Sequence, residues 1–271
     1  MTRQQHGRPK QRRRIGRRKW RLGLFTGALL VLLYGFYEFP SFLDKAEALQ
    51  YEKVLVNEKA AQPAPSTSGK VVYLTFDDGP SELTNQFLDV LKEKGVKSTF
   101  FMQGRNLERE KLHSVVKRAS LEGHYIGGHS MTHVYKTLYE EGQFVNEMKQ
   151  TLSLIRDITG KSPYLVRPPY GSAPGLSNKN IRDQLAEAKI KVWDWTIDSN
   201  DWNLSGRPQE ILTTIKNTTK RKTEVVLLHE KPQTLKVLPD IIDFYKKQGY
   251  TFGVYDDVKH FPLNFTKDER L

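Results

Sequence analysis

Five short polar clusters punctuate the 271-residue chain. They are Asp77 and Asp78 in TFDDG (75–79), His129 and His133 in HSMTH (129–133), and Arg167, Pro169 and Tyr170 in RPPYG (167–171). Asp198, Asp201 and Trp202 in DSNDW (198–202) and His229 in LLH (227–229) follow. Two imidazoles four residues apart face one ion when they share a helical turn. A carboxylate added to them makes three protein ligands with positions left open, the pattern of a catalytic metal site rather than a structural one. A second carboxylate supplies a base. A third histidine supplies an acid, because imidazole titrates near neutrality. Together these residue types permit metal-assisted hydrolysis. Singly, each has a plainer reading. Asp-Asp-Gly-Pro is commonly a capped turn, Pro-Pro a surface turn, and a lone histidine after an apolar strand a structural residue.

The elements that must position these residues alternate in type. Short β-branched or aromatic runs at 71–77, 98–103, 125–128, 164–166, 191–195, 224–229 and 251–255 are expected strands. Amphipathic stretches at 82–94, 106–122, 139–159, 177–188, 208–218 and 234–247 are expected helices. Gly95, Gly123, Gly160 and Gly249 follow helices as C-caps, and Pro208 opens one. Such alternation implies an α/β fold with a parallel sheet. Asp77, His129, Arg167 and His229 each fall at the C-terminal end of an expected strand, and Asp198 lies just past another. Polar residues from five strands meet only if the strand ends ring a common centre, so a (β/α) barrel of seven strands is favoured over an open sheet. Asp77 and Asp78, adjacent on one strand, are expected on opposite sides of it. Trp193 and Trp195 read as core, Trp202 as the wall of a groove.

All five clusters, in this order, resemble the motifs of the NodB-type polysaccharide deacetylases, carbohydrate esterase family 4, over about residues 70–258. The resemblance implies a distorted, incomplete (β/α) barrel. It implies Asp77 as general base and Asp78, His129 and His133 as ligands of a divalent metal. For that ligand set zinc is the default, with Co²⁺ or Ni²⁺ as alternatives. Arg167 would pair with and orient Asp77, and the N–H of Tyr170 would help hold an oxyanion, Pro169 having none to offer. His229 would be the general acid, its pKa raised by Asp201. The loop Glu230-Lys231-Pro232 is a candidate for shaping access. The expected reaction is N-deacetylation of an N-acetylhexosamine polymer, with N-acetylglucosamine of peptidoglycan first. Chitin oligomers, muramic acid residues, O-acetylated xylan and a catalytically silent glycan-binding module are the alternatives. His113, His124 and His260 match no motif and read as ordinary residues.

The net charge of +12 is unevenly placed. Residues 1–21 hold ten Lys or Arg and no acid, which leaves 33 basic against 31 acidic residues in the rest. A nucleic-acid groove across the catalytic region is therefore not expected. The basic tail runs into residues 22–39, whose single charge is Glu38, long enough to cross a hydrocarbon core. The expected organisation is a cytoplasmic tail (1–21), a transmembrane signal anchor (22–39), a stalk and Pro/Ser/Ala-rich linker (40–69), an extracytoplasmic catalytic domain (70–258) and a C-terminal tail (259–271). Cleavage and secretion are the alternative, for which Ala46-Glu47-Ala48 is a poor site. With no cysteine, stability must come from the core. A monomer is expected.

Overall fold

In a computed structural model of the chain, residues 69–271 are described. The expected tail, anchor and stalk at 1–68 lie outside them. No helix among the described residues is long and apolar enough to cross a membrane.

Eight parallel strands alternate with helices. The strands are β1 (Lys70–Gly79), β2 (Thr99–Met102), β3 (Tyr125–Gly128), β4 (Leu165–Val166), β5 (Lys191–Val192), β6 (Ile197–Asp198), β7 (Thr223–His229) and β8 (Tyr250–Gly253). The helices are α1 (Thr84–Glu93), α2 (Gly104–Leu107), α3 (His113–Leu121), α4 (Phe144–Thr159), α5 (Lys179–Glu187), α6 (Pro208–Thr218) and α7 (Pro232–Lys247). The sheet runs β5-β4-β3-β2-β1-β7-β6. Strand β1 is long enough to take two neighbours in succession: its first half pairs with β8 and its second with β2, while β7 pairs with it from Val71 to Asp77. This is the expected open α/β barrel, with one strand more than expected. Strand β6 is only two residues long and leaves no period in the sequence.

Side-chain alternation divides the strands between two environments. Val72, Leu74, Phe76, Phe100, Met102, Val226 and Leu228 face outward into the main core. There they meet Phe87 and Leu91 of α1 and Ile241 of α7. The inside is filled by Phe101, Leu165, Trp193, Val225 and Tyr255, with Tyr73, Phe261 and Leu263 packed against them. Residues 259–271 are thus built into the domain. Leu263 bridges Trp193, the Asp194 carboxylate accepts the Phe265 N–H, and Leu271 is buried.

Two expected helices are broken. The 106–122 stretch is a 3-10 turn (Glu110–Leu112) between α2 and α3, and 139–159 becomes a π turn (Lys136–Glu140) followed by α4. Gly160 caps α4 in the left-handed region (φ 71°), donating its N–H to the Arg156 carbonyl.

Candidate active site

The C-terminal end of β1 delivers two carboxylates to one place. Regular alternation would send Asp78 to the helix side. A bulge prevents this: Phe101 pairs with Asp77 and Met102 with Gly79, so Asp78 is the extra residue, at φ 70°. Its Oδ1 lies 3.7 Å from His129 Nε2 and 3.8 Å from His133 Nε2, and Asp77 Oδ2 lies 3.9 Å from His129 Nε2. The two acids therefore share a site rather than facing opposite sides of the strand.

The histidine loop is also not the helical turn its spacing suggests. Residues 129–133 are irregular, with Ser130 (φ 61°) and His133 (φ 56°) in the left-handed region. Two devices hold this uncommon backbone. Ser130 Oγ accepts the His133 N–H (2.9 Å), and the buried Glu147 of α4 accepts the N–H groups of Met131 (3.0 Å) and Thr132 (2.9 Å). Behind it, β3 ends in a close crossing. A Cβ on Gly127 would lie 2.7 Å from the Leu165 carbonyl oxygen, so only glycine fits there.

Asp78, His129 and His133 form a cluster of three groups that could hold a metal ion, their donor atoms all within 4.8 Å of one another. A divalent ion fits it. His129 Nδ1 lies 2.8 Å from the Arg167 carbonyl, which can only accept, so the proton sits on Nδ1 and the Nε2 lone pair faces the cluster. Burial, aided by His129, lowers the pKa of His133 and keeps its ring neutral. Burial opposes the Asp78 charge, but the surrounding histidines and a 2.6 Å hydrogen bond from Gln103 outweigh it and hold the carboxyl below its usual range. Two donors on one tetrahedral zinc stand about 3.3 Å apart. The two Asp78–histidine spacings exceed that by about half an ångström, within reach of small side-chain rotations.

Asp77 is clamped from the other side. Arg167 is fully buried, donating from Nη1 to Asp77 Oδ1 (2.9 Å) and Thr75 Oγ1 (2.6 Å). Its Nε and Nη2 donate to the carbonyls of Trp193 and Asp194, and its plane lies 4.2 Å from the Phe101 ring centre. A charge so enclosed is tolerable because nearly every donor is used. The RPPYG loop that follows is fixed by Tyr139 Oη donating to the Pro169 carbonyl and by Ser172 donating to Asp194. Tyr170 sits at φ 67°, and its N–H donates to no acceptor among the described residues.

His229 stands opposite Asp77 in the register of β1 and β7. Its Nδ1 lies 2.7 Å from Asp201 Oδ1, leaving Nε2 for the site. Asp201 is fully buried, and its Oδ2 also accepts from the His229 N–H (2.7 Å) and the Thr234 hydroxyl (2.5 Å). Burial works against a charged His229 ring, but the Asp201 hydrogen bond and the charges of Asp201, Asp77 and Asp78 outweigh it and raise the pKa. The ring therefore holds its proton to a higher pH than ordinary imidazole, and an activity that needs this proton falls as pH rises through the raised value. Asp201→Asn removes the charge behind the ring. The alkaline limb of kcat/KM should then move to lower pH, with an unmoved limb assigning the acid elsewhere.

Trp193 and Trp202 divide as expected, whereas Trp195, expected in the core, is only half-buried and lies outside the core clusters. Trp193 is buried, Trp195 packs on Phe265, and Trp202 is 55% exposed beside Asp201. Asp198 caps a turn through the Asn200 N–H and stays outside the cluster. Glu230 turns inward, buried and hydrogen-bonded by Ser81 and Thr84. His124, buried with its pKa lowered to about 3 mainly by burial, accepts the Ser98 N–H and is structural. Gln103, Glu147, Thr75 and Asp194 are the supporting residues sequence reasoning missed.

The polysaccharide deacetylase family model matches residues 64–193. A peptidoglycan-N-acetylglucosamine deacetylase of Bacillus cereus is 42% identical over 265 residues, 90% of this chain and 94% of the relative. A crystal structure of a polysaccharide deacetylase from Bacillus cereus aligns with TM-score 0.72 at 45% identity, covering 74% of this chain and 100% of that one. A family 4 carbohydrate esterase from Streptomyces lividans, solved with acetate, aligns with TM-score 0.61 at 30% identity, covering 70% and 95%. The chain belongs to the polysaccharide deacetylase family. It is an enzyme of the class that removes acetyl groups from polysaccharides.

Proposed function

We propose that the protein is a zinc-dependent N-deacetylase of N-acetylglucosamine residues in peptidoglycan. The observation that carries this reading is the convergence of the Asp78, His129, His133 cluster with Asp77–Arg167 on one side and His229–Asp201 on the other. The name of the Bacillus cereus relative supports the choice of sugar and polymer.

A zinc ion held by the three ligands would supply a Lewis acid for the acetyl carbonyl and lower the pKa of a water. Asp77, fixed by Arg167, accepts a proton from the attacking water. The Tyr170 N–H donates to the oxygen on which charge develops. His229 gives its Nε2 proton to the departing nitrogen as the C–N bond breaks, leaving acetate and a free amino sugar. Every group in this scheme comes from one chain, so a single subunit suffices. Residues 22–39, flanked by the basic tail, would anchor the enzyme with its N-terminus in the cytoplasm and the catalytic unit outside.

The exposed Trp202, next in the chain to the His229 partner Asp201, and the exposed Tyr170 beside His133 fit the walls of an open groove. Contacts with neighbouring sugars would then help position the reacting one. Acetate release from N-acetylglucosamine oligomers should rise from one sugar to several, and Trp202→Ala should flatten that rise. Equal rates on monomer and oligomers would contradict the groove.

A further inference from the structure

The strands that end in Asp77 and His229 begin at the opposite pole of the barrel. Val71 pairs with Thr223 there, and Asp77 with His229 six residues further on, about 20 Å away at a strand rise of about 3.3 Å per residue. That pole holds a cleft of about 320 Å³ ringed by Lys70, Lys216, Lys220, Arg221 and Lys222. No carboxylate lines it. Lys216, Lys220, Arg221 and Lys222 are exposed, and none of them is ion-paired among the described residues.

The array is held in place by its backbone. Glu224, buried, accepts the N–H groups of Lys220 (2.8 Å) and Arg221 (2.6 Å), and the Tyr250 hydroxyl donates to the Arg221 carbonyl (2.6 Å). Glu224 is thus turned inward onto peptide groups, while Lys216, Lys220, Arg221 and Lys222 stay exposed. The Lys70 and Lys216 ammonium groups lie 5.4 Å from the Tyr250 ring centre and 5.9 Å from that of Phe244, which lets the stems cover apolar surface with the charge at the rim. Like charges fixed around a concave site repel one another and focus a positive potential. The complement to such a site is a phosphate-bearing anion.

The position of the pole decides which anion. Lys70 opens β1 directly after the linker, so the chain reaches the domain at this pole from the basic tail and the apolar segment 22–39. We infer that this basic pole docks on the headgroups of anionic phospholipids and turns the catalytic pole away from the bilayer. The choice of lipid over a soluble polyanion rests on the proposed membrane attachment; the anion site itself does not.

The unit Pro65–Leu271 is compact with its own core, and a solved Bacillus cereus chain aligns over its whole length with 74% of this chain, so the unit is the piece to test alone. It should sediment with vesicles of phosphatidylcholine mixed with phosphatidylglycerol, sediment less as salt rises, and ignore vesicles of phosphatidylcholine alone. Each basic residue near an anionic surface contributes about fivefold in affinity, so K216Q/K220Q/R221Q should bind about a hundredfold more weakly. Its acetate release from soluble oligomers should be unchanged. Equal binding to both vesicle types, or full binding by the triple variant, would overturn the inference. Binding to soluble poly(glycerol phosphate) without binding to vesicles would overturn the lipid assignment. This unit lacks residues 1–64, so the result is independent of whether 22–39 span a bilayer. That is read separately, by membrane fractionation of the full chain.

Discussion

His129→Ala is expected to leave the protein folded, empty of metal and slower by about a thousandfold or more, the rate equivalent of the several kcal/mol a Lewis acid supplies. His133→Ala and Asp78→Ala should behave alike, because among the described residues the proposed cluster offers three donor groups and no spare one. His129 is the most informative of the three. Its Nδ1 is committed to the Arg167 carbonyl, so its removal takes away a pre-oriented donor as well as a ligand. Metal analysis of the purified variants, with circular dichroism as the folding control, reads the outcome. A fully loaded His129→Ala protein would remove it from the ligand set.

Asp77→Asn is expected to give the opposite combination, metal retained and turnover lowered by about a hundred- to ten-thousandfold, the range for loss of a general base. The argument is geometric. Asp77 Oδ1 is occupied by Arg167 and its Oδ2 lies 3.9 Å from His129 Nε2, beside the cluster rather than within it. An amide still accepts from Arg167 but takes no proton from water. Should Asp77→Asn purify without metal, Asp77 is a ligand and the roles of the two adjacent acids need redrawing.

The contrast between these two acids also marks the limit of what the sequence conveys. Strand ends and the residue types on them are legible because β-branched runs and their polar termini are local. That is why Asp77, Arg167 and His229 can be expected to meet. The β1 bulge is not legible. It depends on how Asp78 and Gly79 register against Phe101 and Met102 of a strand whose paired residues lie 23 to 24 positions further along the chain. The histidine loop is similar. Four-residue spacing suggests a helical turn, but the backbone is set by Glu147, which in sequence looks like one more polar residue on the face of α4. Strand β6 and the broken helix ahead of α3 escape for the same reason: two or three residues carry no period, and tertiary packing decides their state. Trp193 and Trp202 could be told apart because their neighbours differ, apolar strand against polar loop, and burial follows that difference.

The most direct test of the account is the identity of the sugar that loses its acetyl group. Purified peptidoglycan treated with the zinc-loaded enzyme, digested with a muramidase and analysed by mass spectrometry should contain glucosamine where N-acetylglucosamine stood. Its muramic acid should remain acetylated, because the lactyl ether and peptide crowd that acetamide. Acetyl loss mainly from muramic acid would contradict the assignment of the sugar, and activity confined to O-acetylated xylan would contradict both the sugar and the bond.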